Sequence, residues 1–198
     1  QGADCVLAVE NDKPDAIAHL SDLVRACGDA RLSVCPLKTK YPQGGERMLI
    51  RAVTGRYLNS RLLPADRGCI VMNVASVLAA YGAISCGRPL THCIMTVTGD
   101  AVSSPCNLEV PVGTSYAAVL AEAGGFSAEP EKVISGGPMM GTALFSLYIP
   151  VTKTASSILA LRHDPVALHD ASPCIHCGHC LHACPEGLVP QLLSAAAE

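Results

Sequence analysis

Apolar residues run unbroken from Cys5 to Val9 and then give way to Asn11 and Asp12. Lacking the alternation of a half-exposed strand, residues 4–10 read as a strand covered on both faces, as in a parallel sheet. The period then changes. Ile17, Leu20, Val24 and Cys27 recur at helical spacing behind Pro14, which suits a first helical turn, and Gly28 supplies the stop. Residues 31–36 read as a second strand, so this stretch predicts a βαβ unit of an α/β sheet. Leu49, Ala52 and Val53 predict a helix over 45–54, opened by Gly44-Gly45, and residues 69–72 predict a further buried strand. Val74, Val77, Leu78, Tyr81 and Ile84 form the stripe of a helix that stops at Gly87; it is apolar enough to read as buried.

The pattern shifts near Pro89. Residues 92–98 and 107–112 read as strands. Thr114 reads as the cap of a short helix with Tyr116, Val119, Leu120 and Ala123 on one face and Gly124-Gly125 at its end. Residues 131–135 begin another strand, closed by Gly136-Gly137-Pro138. This order predicts a small β-grasp-like domain. Residues 146–162 read as an extended return, 163–173 as a polar linker, and Leu188, Leu192 and Leu193 as the start of a last helix.

Composition narrows the function classes. Of 198 residues, 49% are hydrophobic and 16% charged, and the net charge is −3. No cluster of Lys and Arg points to nucleic acid. So few charges predict a surface partly covered by partners. No uninterrupted apolar run reaches the ~18 residues of a membrane span. Of the eleven cysteines, Cys5, Cys27, Cys35, Cys69, Cys86, Cys93 and Cys106 are irregularly spaced among apolar residues; they read as small reduced core residues rather than a disulfide framework.

The other four carry chemistry. Cys174, Cys177, Cys180 and Cys184, followed by Pro185, have the spacing C-x2-C-x2-C-x3-C-P. This is the thiolate run of bacterial-type ferredoxins that hold [4Fe-4S] clusters, in which the fourth cysteine serves the other cluster of a two-cluster protein. Zinc, with His176, His179 and His182 nearby, is the competing reading, but zinc sites usually divide their ligands between two knuckles. A cluster moves single electrons and needs a redox partner within reach, which suggests a flavin or nucleotide in the sheet ahead of it. The Gly44-Gly45-Glu46 turn suits either a plain tight turn or a close backbone approach to a ligand at a helix N-terminus. Asn73, at a strand end and a helix start, suits either a helix cap or a ligand contact. Lys153 and His92 read as surface groups.

These stretches resemble a known family. Val9-Glu10-Asn11-Asp12-Lys13-Pro14, Lys40-Tyr41-Pro42-Gln43-Gly44-Gly45-Glu46, Leu63-Pro64-Ala65-Asp66, Asn73-Val74, Val97-Thr98-Gly99, Gly136-Gly137-Pro138-Met139-Met140-Gly141, Val151-Thr152-Lys153 and the cysteine run are similar to the C subunit of the Rnf/Rsx electron transport complexes. The flavin subunit of complex I is a more distant relative, with an acidic residue where Gly45 stands here. The resemblance implies an α/β plus α+β chain. Residues 1–88 would be part of a Rossmann-like FMN/NADH domain, 89–145 a β-grasp SLBB domain and 146–172 a return segment and linker. Residues 173–198 would be the first half of a two-cluster ferredoxin-like domain.

The resemblance also implies an oxidoreductase/translocase subunit that passes electrons between NADH, FMN and two [4Fe-4S] clusters. It would sit peripherally on the cytoplasmic face of the inner membrane, with partner subunits coupling the flow to ion transport. By position, Cys174, Cys177 and Cys180 would ligate the first cluster and Cys184 the second; Tyr41, Gly44, Gly45, Glu46 and Asn73 would line the flavin and nicotinamide pocket. A glycine-rich loop is expected ahead of Gln1 and a second cysteine run beyond Glu198. The chain therefore reads as a piece of a longer protein, expected to bind FMN weakly and to leave both clusters short of ligands. A soluble cobalamin reductase of the propanediol-utilisation type shares these domains and is the alternative.

Overall fold

A computed structural model describes residues 2–59, 61–164, 167, 170, 172–184 and 186–197. Pro185 of the cysteine motif and much of the 163–173 linker lie outside the described residues. The chain is mixed α/β and divides into two compact units, Gln1–Met72 with His176–Glu198, and Asn73–Ile175.

In the first unit, β1 (Cys5–Glu10) and β2 (Leu32–Leu37) pair in parallel, from Cys5 opposite Leu32 to Glu10 opposite Leu37. Between them lies α1 (Pro14–Cys27), and Gly28 ends it in a left-handed conformation, its N–H donating to the Val24 carbonyl. Helix α2 (Glu46–Thr54) follows with Gly45 as its N-cap. The residue it buries is Ile50, with Leu49 and Val53 half-buried, whereas Ala52 of the expected face is exposed. Leu37 and Leu58 are the other buried apolar residues among the described residues of this unit. Residues 69–72, expected as a buried strand, form none. They follow the short 3-10 turn Pro64–Arg67, pair with no strand among the described residues, and leave Ile70 85% exposed. A β-rich apolar tetrapeptide becomes a strand only beside a neighbour that supplies its hydrogen bonds. Two helices, α5 (His179–Ala183) and α6 (Pro190–Ala197), lie in the C-terminal part.

The second unit opens with α3 (Val74–Cys86), closed by left-handed Gly87. It was expected to be buried, yet it buries no residue: Val74, Val77, Leu78, Tyr81 and Ile84 are all exposed. Apolar composition makes burial favourable, but only a covering element provides it.

The strands β3 (His92–Thr98), β4 (Cys106–Pro111), β5 (Lys132–Ser135), β6 (Thr142–Ala143) and β7 (Ser157–Leu161) form one sheet in the order β4-β3-β7-β5-β6. The β3–β7 pair is parallel and the other pairs are antiparallel. Met95, Val97, Val110, Ile158 and Ala160 of this sheet pack with Tyr116, Val119 and Leu120 of α4 (Tyr116–Glu122) and Ala123 beyond it in one buried core. Helix α4 is capped by Ser115, whose Oγ accepts the Ala118 N–H at 3.3 Å, rather than by Thr114. Thr114 is engaged one step earlier, its N–H on the Pro111 carbonyl and its own carbonyl accepting from Val151.

None of the seven scattered cysteines is fully buried, against the core reading. Cys93 and Cys106 pack half-buried against the core, whereas Cys5 begins a strand and Cys27 and Cys86 end helices, and these three are exposed. No disulfide joins any of the eleven among the described residues.

Candidate functional site

The first candidate site lies at the carboxyl ends of β1 and β2, where ligands bind in open α/β sheets. Asn11, just past β1, carries the connection: its Oδ1 accepts the Thr39 N–H at 3.0 Å and the Thr39 hydroxyl at 2.8 Å. Its own N–H donates to the Leu37 carbonyl at 2.8 Å. Glu10 Oε1 accepts the Lys40 N–H at 3.3 Å. Asp12 pairs with Lys13 at 2.8 Å, and this hydrogen bond holds the Asp12 carboxyl below its ordinary range. The polar residues closing β1 thus tie down the segment that leads into residues 41–46.

That turn is built from its own backbone. The Gln43 N–H donates to the Lys40 carbonyl at 2.9 Å, the Gly45 N–H to the Pro42 carbonyl at 3.2 Å, and Leu49 opens α2 by donating to the Gly45 carbonyl at 2.8 Å. No side chain caps α2, so its start lacks the usual Ser, Thr or Asp oxygen. Tyr41, Gly44, Gly45 and Glu46 are all exposed. A Cβ on Gly45 would come within 3.2 Å of the Pro42 carbonyl, which explains that glycine by packing. A Cβ on Gly44 would meet nothing within 4 Å, so nothing inside the protein requires a glycine there.

Gln43 was not among the residues expected here. It is only 4% exposed, and its Oε1 is fully buried without a hydrogen-bond partner. Native proteins rarely leave such an acceptor unpaired. No sequence signal marks it, because a glutamine in a polar turn reads as solvated. An uncapped helix start and a glycine with open space at its Cβ position suit the approach of a flat polar ring such as that of FMN. Asn73 lies in the second unit, where its Oδ1 accepts the Ala75 N–H at 2.9 Å and caps α3.

The second candidate site is the cysteine run. The division between the two units falls between Ile175 and His176, inside it. His176 and Gly178 adopt left-handed conformations, with φ of 55° and 75°, and α5 begins at His179. Cys174, Cys177 and Cys180 are exposed and Cys184 is half-buried. The Leu188 N–H donates to Cys184 Sγ at 3.4 Å, the kind of bond that stabilises a coordinating sulfur, and Cys180 Sγ donates to Gln191 Oε1 at 3.4 Å. Among the described residues, no three His, Cys, Asp or Glu side chains converge on a metal-sized position. The donor set itself fits an iron–sulfur cluster: soft, accessible sulfurs outside any disulfide. Lys153 and His92 are exposed, as expected of surface groups.

Residues 1–82 match the family model of the Nuo51 FMN-binding domain and residues 94–143 that of the SLBB domain. Across 185 residues, 93% of its length, the chain is 46% identical to the C subunit of the Na(+)-translocating ferredoxin:NAD(+) oxidoreductase complex of Acetobacterium woodii, covering 41% of that protein. It is 43% identical over 188 residues, 95% of the chain and 40% of the relative, to the C subunit of the proton-translocating ferredoxin:NAD(+) oxidoreductase complex of Clostridium ljungdahlii. Over 190 residues, 96% of the chain and 36% of the relative, it is 38% identical to the C subunit of the ion-translocating oxidoreductase complex of Rhodobacter capsulatus. The chain spans about two-fifths of the length of these curated relatives. Over nearly all of its own length, the chain is homologous to the C subunits of the ion-translocating oxidoreductase complexes.

Proposed function

We propose that the chain is part of an electron-transfer subunit of the Rnf/Rsx type, moving electrons between NADH, FMN and [4Fe-4S] clusters within an ion-translocating membrane complex. The observation that carries this is the 46% identity that runs through both matched domains and the cysteine run. Residues up to 88 would form part of a Rossmann-like flavin domain, which the parallel β1–α1–β2 unit supports. Residues 89–145 would form the β-grasp, supported by a mixed sheet with α4 packed on it, to which the return segment that follows adds β7 beside β3. Residues 146–172 would be the return and linker, and 173–198 the ferredoxin-like part. Among the described residues no helix is long and apolar enough to cross a membrane, which suits peripheral attachment, here proposed at the cytoplasmic face.

Tyr41, Gly44, Gly45, Glu46 and Asn73 would hold the flavin and nicotinamide. Gly44 leaves room for a ring to approach the backbone, and the start of α2 carries no side-chain cap, both of which support this reading. Bound FMN supplies the interconversion of two-electron hydride chemistry and one-electron transfer. Cys174, Cys177 and Cys180 would bind one cluster and Cys184 a second, with the Leu188 N–H steadying the Cys184 sulfur. Anaerobic purification of the whole native protein tests the reading: FMN released by acid, iron with labile sulfide, and flavin absorption bleached by NADH are expected. A colourless protein carrying zinc and no flavin would overturn it.

A further inference from the structure

We infer that the second unit carries a binding site for a small phosphorylated molecule. It lies in a cavity between the turn that joins β5 to β6 and the segment that leads into β7. The cavity holds about 410 Å³, in the range of about 300–1,000 Å³ usual for small-ligand sites. Gly137, Thr142, Thr152, Thr154 and Ser156 line it, and its lining residues include no carboxylate.

The fold holds both walls in place. Ser135 pairs with Thr142 of β6 on one side and Ile158 of β7 on the other. The Gly136 N–H donates to the Ser157 carbonyl at 2.9 Å, and the Gly141 N–H closes the turn on the Gly137 carbonyl at 2.8 Å. On the facing wall, the Ala155 N–H donates to the Thr152 carbonyl at 3.1 Å. Gly136, with φ of 102°, and Gly141, whose Cβ would overlap Ile134 and the Gly137 carbonyl, are required by the turn itself. Gly137 is not: its φ lies outside the left-handed region, and a Cβ there would meet nothing within 4 Å.

The hydrogen bonds left over select the ligand class. The Gly137, Thr152 and Ser156 carbonyls already accept backbone N–H groups, the last from Thr96 at 3.0 Å. The donors are spare. The Gly137 N–H and the Thr142 and Ser156 hydroxyls have no partner among the described residues. The Thr152 and Thr154 hydroxyls, 3.1 Å apart, have only each other, which leaves one O–H of the pair to give. Lys153 stands between these two threonines in the chain, is exposed, and forms no ion pair among the described residues. Spare donors, engaged carbonyls and an unpaired cation favour an anionic ligand rich in acceptors, and a phosphoryl group is that. A neutral sugar would make no use of Lys153.

The test uses the whole native protein as wild type, Lys153→Gln and Ser156→Ala. Neither side chain has a partner in the described fold, so both variants should melt with wild type and keep its flavin content. Inorganic pyrophosphate and glucose, a neutral ligand of similar hydrogen-bonding richness, are titrated calorimetrically at low salt. Pyrophosphate should bind and glucose should not, and each variant should bind pyrophosphate about 10-fold more weakly. The difference between wild type and the variants reports this cavity, because the proposed flavin and nicotinamide site could also take a phosphate. No pyrophosphate binding up to about 10 mM would overturn the inference. Equal pyrophosphate affinity in wild type and both variants would put the anion elsewhere and overturn it too. Glucose binding that the Ser156 variant weakens would replace the phosphoryl ligand by a neutral one.

Discussion

Glu131 Oε2 accepts the backbone N–H of Asp164 at 2.7 Å, fastening the residue before β5 to the chain just beyond β7. Its other oxygen meets His163 Nδ1 at 3.1 Å, and Lys132 pairs with Asp164. The Asp164 N–H, then the His163 ring, hold the Glu131 carboxyl below its usual value of 4.5. A lowered carboxyl stabilises the fold above its unfolded pKa, and this contribution is lost as pH falls through the lower folded value. Wild type should therefore lose stability below pH 4.5 more steeply than Glu131→Gln, and the variant should melt lower at pH 7. Circular-dichroism melts from pH 7 to about 3 check both.

Gly99, with φ of 119°, passes directly against β7, and a Cβ there would overlap the Ala160 carbonyl. Gly99→Ala should cost about 2–3 kcal/mol, measured by urea unfolding. Arg88→Ala, on an exposed loop, should stay within about 0.5 kcal/mol of wild type.

The Tyr116 hydroxyl lies 2.6 Å from Ser135 Oγ and joins α4 to the end of β5. Tyr116→Phe should cost about 1 kcal/mol. Ser135→Ala should cost a similar amount, and the double variant less than the sum, because both remove the same bond.

Gly44 has open space where a Cβ would stand and a φ outside the left-handed region. Gly44→Ala should leave the ligand-free protein as stable as wild type or up to about 1 kcal/mol more stable. Its FMN affinity should fall at least about 10-fold if the backbone touches the ring. Thermal melts and flavin titration separate the two effects.

Burial pushes the Cys93 thiol up, and it donates to the Val110 carbonyl at 3.8 Å. Cys177 and Cys180 are exposed. Iodoacetamide at about pH 8, followed by peptide mass spectrometry, should therefore modify Cys177 and Cys180 well before Cys93. In reconstituted native protein, Cys177→Ala should weaken the broad absorption at about 400 nm, whereas Cys93→Ala should not.

What could be read along the chain was local. Pro14 and Gly28 bracket α1 because each restricts its own backbone, and the stripe of Tyr116, Val119, Leu120 and Ala123 is the face that α4 buries. The spacing of Cys174, Cys177, Cys180 and Cys184 is likewise a local feature, legible without any fold. The cap of α4 shifted by one residue, since Ser115 and Thr114 are equivalent in type and only the bond between Thr114 and Val151 engages the latter elsewhere. Residues 69–72 and α3 went wrong for a common reason: each has the composition of a buried element, but no neighbour among the described residues covers it.

The sequence by itself determined the opening strand–helix–strand order, the turns that glycine and proline impose, and the spacing of the four clustered cysteines. These depend on residues within a few positions of one another. Only the tertiary structure decided that β7 joins β3 in parallel across some 60 residues, that none of the seven scattered cysteines is fully buried, and that Gln43 lies buried with an unpaired oxygen. Burial and hydrogen-bond satisfaction belong to the surroundings of an atom, and those surroundings come from distant parts of the chain.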